Sequence, residues 1–170
     1  MKQLLIITTV LFINMFAMSS VLAESSMSRL EKIIATNGLI EDDNNICGSV
    51  ERNSFKDLVA NLKKQHNTTL EESYFRIKCD GKGVLRMVID NPADRYFVGR
   101  GLRKYFERKI KQPEFFSKIL LHKVNGRDIL SRIDYTLKDI KGTDLESIYN
   151  KKLYIMKKKY TAHLKQYPVR

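Results

Sequence analysis

The stretch CDGKGVLRMVID, residues 79–90, has a counterpart in VNGRDILSRIDY, residues 124–135. Aligned, each carries an acid or amide, a Gly, a cation, one free position, a β-branched residue and Leu. The match is Asp80-Gly81-Lys82-x-Val84-Leu85 against Asn125-Gly126-Arg127-x-Ile129-Leu130, with a second β-branched residue at Val88 and Ile133. Gly permits the positive φ of a tight turn, and the residues after it have helical apolar spacing. The pattern predicts a turn that launches a helix, used twice. One such unit leaves an apolar face uncovered, so units stack, with Leu85 and Leu130 plugging each into its neighbour.

Outward from this repeat the chain reads as short helices separated by Gly, Asn and Pro. A short helix is expected over 28–40, stopped by Asn37-Gly38, and an acidic turn follows at 41–45. Val50, Phe55, Leu58, Val59 and Leu62 predict two short helices around Asn53-Ser54, and residues 66–73 read as a polar connection. YFRI, residues 74–77, reads as a brief extended piece. VLRMVID should stop before Asn91-Pro92, because Pro disfavours helix in the residue before it. Leu102, Tyr105, Phe106 and Ile110 resume helical spacing, and Pro113 is expected to open a loop before an apolar helix. The final segment, 144–167, is the longest helix and ends at Pro168. The fold class expected is mainly α: helix pairs at about 46–64, 84–110 and 115–167, stacked as a small α-hairpin domain with a long C-terminal helix.

The turn, Gly, cation and Leu, followed by a second helix and a polar loop, resemble the ankyrin repeat, whose helix opens Thr-Pro-Leu-His-x-Ala after a Gly turn. GKGVLRMV and GRDILSRI occupy the place of that opening, and residues 46–62 look like the helix pair of an earlier unit. Here Thr is replaced by Gly83 and Asp128, Pro by Val84 and Ile129, His by Arg86 and Ser131, and Ala by Val88 and Ile133. Asp80 and Asn125 stand 45 residues apart, against about 33 for an ankyrin unit, so an insertion is expected around 111–116. The resemblance implies a helical binding module, not an enzyme.

Lys2, an apolar run from Leu4 to Phe16 and the small-residue exit Val21-Leu22-Ala23 predict a signal peptide over 1–23. Removing 23 of 170 residues leaves 147, enough for one domain over 24–170, and loss of Lys2 takes the formal charge from +12 to +11. The protein is therefore expected to be exported, periplasmic or secreted. Its two cysteines, Cys47 and Cys79, are expected to form a disulfide in such a compartment.

Chemistry is sparse. His66, His122 and His163 show no metal-ligand spacing, so no metal or other cofactor is expected. No phosphate loop or nucleophile elbow occurs, GRG at 99–101 is too short to be one, and Asp42-Asp43 and Glu71-Glu72 read as solvated acids. No catalytic residue is assigned. Asn67 opens an Asn-Thr-Thr glycosylation sequon, meaningful only in a eukaryotic secretory pathway.

The basic surface says more. In the last helix Tyr149, Leu153, Met156, Tyr160, His163 and Tyr167 share one face. Lys151, Lys158 and Lys165 form a stripe widened by Lys152 and Lys159. A second basic run includes Arg100, Arg103 and Lys104 and interleaves with Tyr96, Phe97, Tyr105 and Phe106. These eight cations are the candidate binding face. The partner expected is an acidic protein, as for an inhibitor, an immunity-type protein or an envelope accessory factor. The alternative is a polyanion or anionic membrane surface bound by charge; nucleic acid is disfavoured for an exported chain.

Overall fold

In the computed structural model, residues 38–109 and 111–169 are described. The expected leader, and most of the helix expected over 28–40, lie outside them. In chain order the elements are β1 (Ile40–Glu41), α1 (Asn44–Glu51), α2 (Phe55–His66), α3 (Leu70–Ser73), a 3-10 turn (Tyr74–Arg76) and β2 (Ile77–Lys78). There follow α4 (Val84–Asp90), α5 (Tyr96–Lys104), a π turn (Tyr105–Lys109), α6 (Pro113–Leu121), α7 (Ile129–Asp139) and α8 (Asp144–Gln166). The protein is mainly α with a long C-terminal helix, as its apolar spacing predicts. β1 and β2 pair in parallel, Ile40 opposite Ile77 and Glu41 opposite Lys78.

The repeated stretch forms the same turn twice. Asp80 and Gly81 have φ of 50° and 66°, and Asn125 and Gly126 have 52° and 75°. Two successive left-handed residues define a tight reverse turn that Asp-Gly and Asn-Gly adopt readily. Reciprocal backbone hydrogen bonds close both turns: Cys79 with Lys82 at 2.9 Å each way, and Val124 with Arg127 at 3.0 and 3.2 Å. A helix follows each, α4 or α7. The repeated cation ties turn to helix. Lys82 reaches Asp90 at 3.1 Å, and at the aligned positions the Arg127 guanidinium lies over the Tyr135 ring at 4.3 Å. Of the two repeated leucines, Leu85 is buried whereas Leu130 is only partly so, because α7 belongs to the last helix pair. Ile133 takes the buried position there.

Local signals set the helix ends. The Asp43 carboxylate accepts from the N–H groups of Asn45 and Ile46, both at 2.9 Å, and starts α1. Asn53, with φ of 57°, and Ser54, which caps α2, make the corner between α1 and α2. Thr69 and Glu72 form a reciprocal capping box, so the connection expected at 66–73 contains the short α3. Pro113 is the first residue of α6 rather than a loop residue; its missing N–H is one the first helical turn would leave unpaired anyway. Between the two turn-and-helix stretches lie α5, the π turn and α6.

Three helix pairs lie in succession. α1 packs on α2, α4 on α5 and α7 on α8, while α4 contacts both α1 and α7. Asp90, at the end of α4, accepts from Arg86 at 2.8 Å and from Arg132 of α7 at 3.4 Å, joining two pairs. Burial raises the affinity of Asp90 for a proton, but Lys82 and Arg86 outweigh it and hold the carboxyl below its ordinary value. The core includes Ile46, Leu58, Leu62, Ile77, Leu85, Ile89, Leu102 and Leu120. Phe106 and Phe116 stack at 6.1 Å, and Phe116 meets Tyr160 edge-on at 5.7 Å. Cys47 and Cys79 are disulfide-bonded, their Cα atoms 5.7 Å apart, linking α1 to the first turn. Such a bond indicates a non-reducing compartment. Among the described residues no helix is long and apolar enough to cross a membrane.

Candidate basic binding face

The face forms where α5 meets α8. Tyr96, Arg100 and Arg103 recur at four- and three-residue steps, so they share one side of α5. Asn53 positions that helix from the α1–α2 corner, its side-chain oxygen accepting from the Val98 N–H at 3.0 Å. The glycines of GRG serve packing. A Cβ on Gly101 would lie 2.7 Å from Phe55 Cβ, and one on Gly99 would lie 3.0 Å from both the Tyr160 hydroxyl and Val88 Cγ1. These small residues let α5 approach its neighbours closely.

Of the eight candidate cations the structure brings five together. Lys152 stands over the Tyr96 ring, its Nζ 4.8 Å from the centroid, and Lys159 donates to the Tyr96 hydroxyl at 3.5 Å. Arg100, Arg103 and Lys159 line one shallow hollow with Tyr96, Met156 and Tyr160. Lys104 is held below its ordinary proton affinity, most by Arg100, then by burial, then by Arg108, Arg103 and Lys159. The cations gathered around Lys104 make this part of the surface a positive field. Lys151, Lys158 and Lys165 are exposed on another stripe of α8, turned by about 100° from Lys152 and Lys159.

One end of this helix contact is a buried polar network. His163 Nδ1 lies 2.7 Å from Glu107 Oε1, and Nε2 lies 2.9 Å from the Pro113 carbonyl oxygen. Both partners are acceptors, so both bonds form only with a proton on each ring nitrogen. Arg103 donates to the other oxygen of Glu107. Burial raises the proton affinity of Glu107, but the bonds from His163 and Arg103 prevail and hold its carboxyl below the ordinary value. Arg103 is thus shared between the face and an internal strut.

The other histidines also have structural partners. His66 meets Asp43 at 3.0 Å, and the His122 ring stands edge-on to Phe75 at 5.3 Å. Burial, then the charge of Lys78, hold His122 below its ordinary value. Among the described residues no group of three or more His, Cys, Asp or Glu could hold a metal ion. Asp43 and Glu72, read from sequence as solvated acids, are capping groups. Leu153, Met156, Tyr160 and His163 of the expected seam are buried, with Tyr149 packed against the core.

Sequence reasoning missed the Glu107–His163 contact, which joins residues 56 apart. It also left the Tyr160 hydroxyl within an apolar seam, although that group has no hydrogen-bond partner among the described residues. Fold and face together define a basic, disulfide-bonded helical domain with a cationic surface between two helices. No family model matches the chain, and no curated protein or solved structure matches it.

Proposed function

We propose that this protein is an exported, non-enzymatic binding module of ankyrin-like helix pairs that engages an acidic protein partner through the α5–α8 face. The observation that carries this reading is the convergence of Arg100, Arg103, Lys104, Lys152 and Lys159 around Tyr96. The paired glycines at 99–101 and the Asn53 cap fix α5 against its neighbours, so the cations stand on rigid elements, as a specific interface requires. The Cys47–Cys79 disulfide supports an oxidising compartment, and the leader pattern of residues 1–23 makes that periplasmic or extracellular. The recurrence of the turn and helix supports the ankyrin-like reading.

The test is affinity capture of an acidic partner by the tagged protein from envelope and medium fractions, eluted with a salt ramp. A parallel sample carries Arg100→Gln, Lys152→Gln and Lys159→Gln. One stoichiometric acidic protein that survives high salt and is lost with the triple variant is the expected result. A diffuse set of anionic lipids, nucleic acids and proteins, all released at modest salt, would replace this reading with binding by charge alone.

A further inference from the structure

The outer side of α8 carries charge that the fold leaves uncompensated. Lys151, Lys158 and Lys165 recur every seven residues and all are exposed, so they form one row along the helix. At a rise of about 1.5 Å per residue, successive lysines stand about 10 Å apart along the axis and the row spans about 21 Å. Tyr154, between the first two on the same side, is 58 % exposed. Residues 147–170 contain no Asp or Glu, and the acid that reaches α8 from α7, Asp134, is taken by Lys157. Lys151, Lys158 and Lys165 have no ion pair among the described residues. The opposite side of the same helix, Leu153, Met156, Tyr160 and His163, is buried, so the row stands on an element fixed by the core.

We propose that this row is a contact for the surface of an anionic phospholipid bilayer, separate from the α5–α8 face and independent of the partner proposed there. Cations on the convex side of a helix enclose no small anion. Their spacing exceeds the Debye length of about 8 Å at physiological salt, so each needs a counter-charge of its own. Phosphates spread over a plane supply one to each lysine at once, with α8 lying along the surface. The plane also suits Tyr154, whose apolar ring and polar hydroxyl favour the headgroup level. The disulfide indicates a non-reducing compartment, where a membrane is a more usual polyanion than nucleic acid. The contact is peripheral, because the apolar side of α8 is committed to the core and nothing is left to enter the hydrocarbon.

The experiment is co-sedimentation of the disulfide-bonded protein with mixed phosphatidylglycerol–phosphatidylcholine vesicles, compared with pure phosphatidylcholine vesicles, at low and high salt. Binding is expected on the anionic vesicles alone and should be lost at high salt. A lysine near an anionic surface contributes about a fivefold factor in affinity. Lys151→Gln, Lys158→Gln and Lys165→Gln together should therefore weaken binding about a hundredfold. Lys56→Gln, Lys63→Gln and Lys64→Gln, also exposed, remove the same charge from α2 and should weaken it by less than about fivefold. Tyr154→Ser should weaken it several-fold at unchanged charge. All these side chains are exposed, so each variant should keep the melting temperature of the unaltered protein. Equal losses in the two triple variants would overturn the row in favour of net charge. An equal loss on Arg100→Gln, Lys152→Gln and Lys159→Gln would overturn it in favour of the α5–α8 face. Absence of binding to the anionic vesicles at low salt would overturn the membrane contact, and tighter, row-dependent binding of duplex DNA would assign the row to a polymer instead.

Discussion

Replacing Glu107 by Gln isolates what the buried network between α5 and α8 contributes. The carboxylate meets both Arg103 and His163, and the His163 side chain is 1 % exposed against 17 % for Glu107. Gln keeps the shape but offers one acceptor oxygen where two were used, and it removes the charge. Each charge-assisted hydrogen bond is worth about 1.5–3 kcal/mol, and breaking a buried pair costs about 3–5 kcal/mol. Partial solvent access puts this site at the lower end, about 3 kcal/mol, or about 10 °C in melting temperature for a domain of this size. The loss should depend on pH. The folded-state proton affinity of Glu107 is depressed below its ordinary value of 4.5, so its stabilisation is present above that pH and is lost as pH falls through the folded value. Asp43, Glu72 and Asp90 are depressed too, so acid weakens both proteins, and only the difference between them reports Glu107. Urea unfolding followed by circular dichroism, at about pH 7 and at about pH 3, measures that difference. A gap under about 1 kcal/mol at neutral pH, or one that persists undiminished in acid, would refute the reasoning.

Two further perturbations follow from the packing. Removing the disulfide with Cys47→Ala and Cys79→Ala opens a link across a sequence separation of 32, worth about 4 kcal/mol in the chain-entropy account; a melt lowered by less than about 3 °C, or two reactive thiols in the native protein, would contradict it. Gly101→Ala drives a methyl into Phe55 and should destabilise by about 1–3 kcal/mol despite the better helix propensity of Ala; in a Phe55→Gly background, which removes the Phe55 Cβ as well as the ring, the same change should become neutral or favourable, and equal effects in both backgrounds would show that the contact does not set the cost.

Much of the fold was legible because its signals are local. Asp80-Gly81 and Asn125-Gly126 read as turns because short polar residues and Gly tolerate left-handed backbone. The end of α4 before Asn91-Pro92 and the seam of α8 follow from Pro sterics and helical spacing. The readings that failed were also local: Pro113 fits a loop and a first helical turn equally well, and residues 66–73 hold a capping box whose short helix has too few apolar positions to announce it. The candidate face divides in the same way. Sequence supplied its cations and the separate stripe of Lys151, Lys158 and Lys165, since charge and periodicity are properties of the chain. Only tertiary packing decided that Arg100 and Arg103 line one hollow with Lys159, that Lys152 stands over Tyr96, that Glu107 reaches His163, and that the Tyr160 hydroxyl has no hydrogen-bond partner among the described residues. Those facts depend on how two helices far apart in sequence approach each other, and that approach is set by residues such as Gly99, Gly101 and Asn53, whose own positions carry no chemistry to mark them.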